Sequence, residues 1–327
     1  MKRSKKTSEE GRVLGTLVQV ARLYYEEDLS QQQIADRLGV SRSLIAQYLR
    51  RARDAGIVRI QIVEPDAACA DLESAIMKAT GVERVTVITP PRGSPELAMR
   101  AVASAAGDFL VGKLKDGGTL GLAWGRTTSL VVDSLKPPPA RGVDVLPLMG
   151  ESGHSGMHSQ MNSLVVRAAE RLRARPHFLS LPMVVSAPGL RRDLMREAGI
   201  REIVDRWGRI DLACVGIGVV PPVPGMVVYI GDEHLPRLVE AGAVGDICGV
   251  YYDRDGRIIE SGLEDRMISV GAKQLKAIGC LVAAACGVDK AAAVLGALRT
   301  GLVSALFIDQ DMAEQILAGL SPADREH

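Results

Sequence analysis

From residue 84 onward, short apolar runs alternate with longer stretches of helical periodicity. This alternation constrains the fold strongly, because parallel strands need long crossover connections and helices usually supply them. It predicts a mostly parallel, doubly wound α/β sheet with helices on both faces. The predicted strands are 84–88, 119–123, 143–148, 177–181, 210–215, 246–252, 278–284 and 304–308. The predicted helices between them are 94–114, 127–136, 158–174, 189–198, 233–241, 288–299 and 310–319.

The composition supports this architecture and argues against several protein classes. Only 3% of the residues are aromatic while 47% are hydrophobic, so aliphatic side chains must form the core. The five scattered cysteines include no Cys-x-x-Cys pair, which favours reduced, mostly buried thiols over disulfides or a zinc site. No apolar stretch approaches the roughly 20 residues of a membrane span, and the charged N-terminus does not resemble a signal peptide. We therefore expect a cytoplasmic protein with no membrane partner.

Positive charge is concentrated at the front of the chain. Residues 1–62 contain 12 Lys and Arg against 7 Asp and Glu, a net charge of +5, whereas the whole chain carries only +1. Such asymmetry indicates a nucleic acid partner at the basic end. Residues 1–11 are predicted to be a disordered basic arm, which either adds phosphate contacts or is a solvated tail.

Residues 30–51 show the spacing of a helix-turn-helix. Ser30 and Gln33 form the capping-box pattern of a first helix. Gly39 suits the tight corner, and Ser41 caps the second helix. The outward face of this second helix then carries Ser41, Arg42, Ser43, Gln47, Arg50 and Arg51.

The outward face of the second helix has the chemistry of a DNA recognition surface. Arg42 suits guanine and Gln47 suits adenine, while the later arginines can reach phosphates. The segment IVRIQIVEP then predicts a short strand, a wing whose Arg59 contacts the DNA backbone. The alternative is a plain helical hairpin with a solvated arginine face.

Ligands of parallel α/β sheets bind beyond the carboxyl ends of the strands. The loop in GLAWGRTTSL follows strand 119–123 and combines a glycine, two threonines and the start of a helix. Backbone N–H groups and hydroxyls that meet at a helix N-terminus form an anion site. A simple threonine cap after a turn glycine is the alternative. The Gly/Ser-rich segment 149–162 follows another strand and can close over a ligand, and a Gly/Pro-rich loop, 216–225, follows a third strand.

Two charged residues are further ligand candidates. Asp246 can accept hydrogen bonds from sugar hydroxyls, although a turn aspartate is an equal alternative. Lys290 lies in the first turn of a predicted helix, where a cation opposes the dipole, so an anionic ligand or simple solvation explains it. His154 and His158 are four residues apart but have no third ligand. We expect no metal, no cofactor and no catalytic residues, because no nucleotide-binding or nucleophile motif is present.

Together these segments resemble the SorC/DeoR-type sugar-responsive transcriptional regulators over nearly the whole chain. The resemblance implies a winged helix-turn-helix over 12–63, a linker helix over 64–80, and an isomerase-like effector and oligomerisation domain over 81–327. It also implies tetramers whose DNA affinity changes when a phosphorylated sugar binds. The segments that carry the resemblance are LYYEEDLSQQQIADRLGVSRSLIAQYLRRARDAGIVRI, GLAWGRTT, LPLMGESG, GAVGDICGVYYDRDG and GVDKAAAVLGALRTGLVSALFIDQDMA.

The resemblance also implies roles for particular residues. Gln160 is a polar contact from the closing loop, Asp246 faces the sugar hydroxyls, and Lys290 lies near the ligand. The phosphate loop comprises Gly125, Arg126, Thr127 and Thr128. Three positions depart from the family: Cys286 replaces a common glycine, Ile308-Asp309-Gln310 replaces a Thr-Asp-Glu, and Glu151 stands where another glycine is common. Its carboxylate either points away, is offset by Arg126 or Lys290, or indicates an effector less phosphorylated than usual.

These features predict a non-enzymatic regulator that binds a palindromic double-stranded operator as a symmetric oligomer, expected to be a dimer of dimers. Its effector is a sugar, a polyol or a sugar phosphate. One alternative is a sugar-phosphate isomerase-like enzyme with an appended DNA-binding domain, which would need a well-placed base and a second acid. Another is a constitutive DNA-binding protein whose body only oligomerises.

Overall fold

The computed structural model describes residues 15–25, 27, 29–58, 67–89, 94–152, 160–221 and 234–320. The chain divides into two compact units, residues 1–64 and residues 65–327. The described part of the smaller unit contains α1 (15–25), α2 (Gln31–Leu38) and α3 (Arg42–Asp54). The predicted arm and the predicted wing strand with Arg59 lie outside the described residues.

The larger unit begins with α4 (Ala67–Thr80) and alternates strands with helices. Its strands are β1 (Arg84–Ile88), β2 (Thr119–Leu122), β3 (Asp144–Pro147), β4 (Arg175–Pro176), β5 (Leu212–Val215), β6 (Gly218–Val219), β7 (Ala243–Ile247), β8 (Val250–Asp253), β9 (Ile258–Ile259), β10 (Cys280–Ala285) and β11 (Ala305–Asp309). Its further helices are α5 (Pro95–Lys113), α6 (Arg126–Ser134), α7 (Met161–Leu172), α8 (Pro188–Leu194), α9 (Ala198–Arg206), α10 (Leu235–Glu240), α11 (Ala272–Ala277), α12 (Ala291–Arg299) and α13 (Gln310–Ala318).

Seven strands form one parallel sheet in the order β1-β11-β10-β5-β2-β3-β4. Its interior strands are mostly apolar and buried; all four residues of β5 are buried, for example. A second, antiparallel sheet has the order β6-β7-β8-β9. The predicted fold class, a mostly parallel α/β sheet behind a helix-turn-helix, is therefore confirmed. None of the helices in the described ranges is both long enough and apolar enough to cross a membrane.

Two of the predicted strands differ from the structure. Residues 246–252 were expected as a single strand, but a turn at Cys248 and Gly249 separates β7 from β8. Both turn residues have positive φ, 55° and 81°, as a two-residue hairpin requires. The strand predicted at 177–181 is instead the two-residue β4, which ends just before it.

Helix α4, which the sequence predicts as a linker, belongs to the core of the larger unit. Ile76 is completely buried in the same apolar cluster as the parallel sheet. Glu73 Oε1 accepts a hydrogen bond of 2.8 Å from the backbone N–H of Val87 in the edge strand β1. A segment with a buried apolar face and a hydrogen bond to the sheet packs as part of the larger unit.

Candidate DNA-binding surface and effector pocket

The helix pair α2–α3 has the predicted local structure. Ser30 Oγ accepts from Gln33 N–H at 3.3 Å, and Gln33 Oε1 accepts from Ser30 N–H at 2.9 Å, which completes the capping box. Gly39 ends α2 with φ 66°, in the left-handed region that favours glycine. Ser41 Oγ then accepts from Leu44 N–H at 3.3 Å at the start of α3. These local bonds fix the corner between the two helices.

Helix α3 is amphipathic, with one apolar face and one polar face. Ile45, Leu49 and Ala52 are buried, and Ile45 packs in a small core with Ile34 and Val20. The other face is exposed and basic, and it comprises Arg42, Ser43, Gln47, Arg50 and Arg51. An exposed second helix that carries arginine and glutamine has the form of a recognition helix. The contacts of these side chains with DNA remain predictions.

The N-terminus of α6 lies at the carboxyl edge of the parallel sheet, because α6 follows β2 in the chain. Gly125 occupies the N-cap position, and no side chain caps the helix there. The first backbone N–H groups of a helix have no partner within it, so they are available to an acceptor. We call Gly125–Thr128 together the α6 cup. Arg126 is exposed at its mouth, whereas Thr127 and Thr128 are buried.

Thr128 holds a buried hydroxyl inside the α6 cup. Its side chain is completely buried, and Oγ1 has no hydrogen-bond partner among the described residues. A Cβ atom on Gly125 or on Gly216 would lie 3.8 Å from this oxygen, so two glycines leave space beside it. Burying a hydroxyl without a partner costs free energy, and nearly all such groups in folded proteins are bonded. The hydroxyl is therefore poised for an acceptor or donor that enters the cup.

Lys290 and Asp246 lie beside residues 216–218, which directly follow β5. Lys290 Nζ donates to the carbonyl of Ile217 at 3.3 Å. Asp246 Oδ2 accepts from Gly249 N–H at 2.9 Å, and a Cβ on Gly218 would overlap this carboxylate. Burial raises the pKa of Asp246, although the Gly249 N–H and the Lys290 charge oppose that shift. Segment 216–218 therefore brings Thr128, Lys290 and Asp246 to one region.

The carboxylate of Glu151 is directed at the N-terminus of α7. Its Oε2 accepts from Met161 N–H at 2.7 Å, and its Oε1 accepts from Asn162 N–H at 2.9 Å. The sequence left three alternatives for the Glu151 carboxylate. In the structure the carboxylate points to the start of α7, where the helix dipole favours its negative charge. Neither Arg126 nor Lys290 is the partner in these bonds.

Other predicted residues are not joined to this region by the hydrogen bonds described above. Gln160 is exposed at the N-cap of α7, and its Oε1 accepts from Ser163 Oγ at 3.2 Å. Its role as a ligand contact stays a prediction, as does that of Arg126. His154 and His158 lie outside the described residues. Within the described ranges, no three His, Cys, Asp or Glu side chains form a group that could hold a metal ion.

Sequence reasoning missed Tyr252, a second buried hydroxyl. The side chain is completely buried against α12, and its hydroxyl has no hydrogen-bond partner among the described residues. A Cβ on Gly245 would lie 2.8 Å from this hydroxyl, so only glycine leaves room for it. Burial and the neighbouring Asp246 charge raise the pKa of Tyr252. No sequence signal distinguishes this tyrosine from an ordinary core residue.

Each of the two units matches a known protein family. Residues 64–318 match the family model described as a putative sugar-binding domain, and residues 19–55 match that of sigma-70, region 4. The first match covers more than half of the chain and includes the α6 cup, Glu151, Asp246 and Lys290.

Full-length relatives share this arrangement. The deoxyribonucleoside regulator of Bacillus subtilis (strain 168) is 28% identical over 305 residues, which cover 93% of this chain and 97% of that regulator. The sorbitol operon regulator of Klebsiella pneumoniae is 29% identical over 306 residues, which cover 92% and 97%. The crystal structure of the full-length sorbitol operon regulator SorC from Klebsiella pneumoniae superposes with a TM-score of 0.80 at 28% identity, over 93% of this chain and 98% of that one. The chain belongs to the SorC/DeoR-type family of transcriptional regulators that carry a sugar-binding domain.

Proposed function

We propose that this regulator reads a palindromic operator in the cytoplasm through α3, as part of a symmetric oligomer that is a dimer of dimers. A sugar, a polyol or a sugar phosphate binds at the α6 cup and changes the affinity for the operator. Coupling of about 1–3 kcal/mol between two such sites corresponds to a change of roughly 5–150-fold in DNA affinity. The relatives are named as regulators, which favours this function over that of an isomerase-like enzyme.

The observation that carries the effector proposal is the hydroxyl of Thr128. It is completely buried, it has no partner within the described ranges, and it stands at a helix N-terminus that none of their side chains caps. Phosphate oxygens accept hydrogen bonds from such hydroxyls and from helix N–H groups, and the helix dipole favours their charge. Lys290 adds a cation near the same chain segment, and Asp246 adds an acceptor for the hydroxyls of a sugar.

Replacing Thr128 by valine separates ligand binding from stability. Valine has nearly the same shape but no hydroxyl, so the unliganded protein is expected to keep its stability or to gain up to about 1–3 kcal/mol, since an unsatisfied group is removed. Effector binding should weaken at the same time. The measurement is a thermal-shift screen of wild type and Thr128→Val against sugars, polyols and sugar phosphates. A ligand at 100 times its Kd stabilises a protein by about 2.7 kcal/mol.

Thr80→Val is the matched control. Its hydroxyl donates to the carbonyl of Ile76 at 2.7 Å, so this variant should lose about 1 kcal/mol of stability and keep the full ligand response. The proposal fails if no compound stabilises the wild type, or if Thr128→Val responds to the hit as the wild type does.

The recognition surface predicts two kinds of DNA phenotype. Arg42→Ala and Gln47→Ala should each relax specificity at one operator position, at a cost of about 1–3 kcal/mol for the preferred base. Arg51→Ala should weaken binding to every sequence and reduce the salt dependence by about one phosphate contact. Selection from a random duplex pool, followed by binding measurements at several salt concentrations, checks both effects.

The surface assignment predicts that these three variants differ from one another. If all three lower affinity uniformly, or if none changes it, α3 does not read bases with this face. Asp36→Ala on α2 is a control on stability, because Asp36 is exposed and its Oδ1 accepts a surface hydrogen bond of 2.9 Å from Gln32 Nε2.

A further inference from the structure

Two helix N-termini lie at the same edge of the parallel sheet. Helix α6 follows β2 and helix α7 follows β3, and these two strands are parallel neighbours. The helices also lie side by side, since Arg167 of α7 donates to Ser129 at 2.8 Å and pairs with Asp133 at 2.6 Å on α6. Each N-terminus could hold an anionic group of a ligand bound at this edge.

The two N-termini are occupied differently. At α6 no side chain caps the helix, and the buried Thr128 hydroxyl stands unpartnered among the described residues. At α7 both carboxylate oxygens of Glu151 are bonded, one to Met161 N–H and the other to Asn162 N–H. A carboxylate bound in this way uses the donors that a phosphate would need and places a negative charge there.

We propose that Glu151 is a specificity-determining residue that fills the anion site at the start of α7, so that the pocket accepts effectors with one anionic group and rejects those with a second anionic group directed at α7. This inference rests on the proposed effector function of the α6 cup. The effector class is thereby narrowed to uncharged sugars or polyols and their monophosphates.

The selectivity follows from competition and from charge. A second phosphate would have to displace a tethered carboxylate that is already held by two hydrogen bonds of 2.7 and 2.9 Å. The tether keeps the effective concentration of the carboxylate at its donors far above that of a free ligand. If the carboxylate stays in place, a neighbouring phosphate meets a like charge.

Inorganic phosphate is the probe that tests this inference in the full-length protein. The unfolding free energy is measured against the logarithm of phosphate concentration, with chloride holding the ionic strength constant. At saturation, the slope of the unfolding free energy against the logarithm of phosphate concentration is proportional to the number of phosphate ions that the native state binds. Glu151→Ala should bind one ion more than the wild type, and Thr128→Val should bind one ion fewer.

Glu73→Ala is the matched control, because Glu73 also bonds a backbone N–H but does so at the edge strand β1. It makes the same change in net charge and should bind as many ions as the wild type. If Glu151→Ala does not fold, Glu151→Gln keeps the side-chain volume and removes the charge; it should bind the additional ion more weakly.

The outcomes separate the two proposals. If Glu151→Ala, or Glu151→Gln in its place, binds the same number of ions as the wild type, the inference about Glu151 is overturned. If Thr128→Val binds as many phosphate ions as the wild type while Glu151→Ala binds one more, the α6 cup is not the effector site and the role of Glu151 at α7 is supported. A gain in Glu73→Ala equal to that in Glu151→Ala assigns the effect to net charge and overturns the inference.

Discussion

The variant Ile45→Ala is expected to abolish DNA binding by unfolding the smaller unit. Ile45 is completely buried and packs with Ile34 and Val20 in a cluster that contains only a few large side chains. Truncation of such an isoleucine costs about 2–5 kcal/mol, and a unit of this size has little stability in reserve. Because the apparent affinity falls in proportion to the folded fraction of the unit, binding of the full-length protein to a random-sequence duplex at low salt, measured by fluorescence anisotropy, should fall by about 10–100-fold once the loss exceeds the stability of the unit by about 1.4–3 kcal/mol.

The same variant should leave the larger unit intact. Its thermal transition and its response to any effector should match those of the wild type, because the two units have separate cores. Asp36→Ala, an exposed substitution on α2, should change stability by less than about 0.5 kcal/mol and leave DNA binding unchanged. Retention of wild-type DNA affinity by Ile45→Ala would show that this core does not support the recognition helix.

The second large effect is expected at Asp144, a buried carboxylate at the start of β3. It accepts from Arg175 at 2.9 and 3.1 Å and from His177 at 3.0 Å, and it lies 3.5 Å from Arg206. Breaking a buried pair costs roughly 3–5 kcal/mol, but Arg175 is 69% exposed and can regain water. We therefore expect Asp144→Asn to lose about 2–3 kcal/mol at pH 7, measured by denaturant unfolding.

This loss should depend on pH in a definite direction. Burial raises the pKa of Asp144, but the hydrogen bonds from His177 and Arg175, together with their charges, lower it more, so the pKa falls below its usual value of 3.8. A depressed carboxyl pKa stabilises the fold above the unfolded-state pKa, and this contribution is lost as the pH falls through the folded-state value. The difference between wild type and Asp144→Asn should therefore be constant above about pH 5 and shrink below about pH 4.

Asp133→Asn provides the comparison for Asp144→Asn. Asp133 pairs with Arg167 at 2.6 Å, but its side chain is 42% exposed, and surface pairs of this kind contribute about 0–1 kcal/mol. A loss of stability at Asp133 as large as that at Asp144 would contradict the importance of burial. A pH-independent loss at Asp144 would contradict the role of its charge.

The sequence was sufficient for the features that local chemistry determines. Ser30, Gln33 and Gly39 predict the corner of the helix-turn-helix because caps and left-handed turns depend on the identity of single residues. The buried strands of the parallel sheet are continuous apolar runs, and these were predicted to within a few residues. The cup at Gly125–Thr128 was predicted because ligands of such sheets bind where strands end, and its role as an effector site stays a prediction.

The remaining features depend on partners distant in sequence or on rare conformations. The turn at Cys248 was missed since a non-glycine residue with φ 55° is uncommon, and the run 246–252 has no local break. The role of Glu151 depends on where α7 begins, ten residues later. Thr128 was predicted as part of the anion loop, but only the surrounding atoms show that its hydroxyl has no partner among the described residues. Tyr252 has the sequence pattern of an ordinary core residue, and its unpartnered hydroxyl is likewise visible only in the structure.

The edge strands of both sheets limit how copies of this chain can associate. In the described part of the protein, β4, β6 and β9 are edge strands of two residues each, and β4 includes Pro176, which has no N–H to donate. The longer edge strand β1 is covered by α4 and bonded by Glu73. Strand addition between subunits needs a free and extended edge, and these edges do not offer one. The described strand edges therefore give two copies of this chain no extended strand to share.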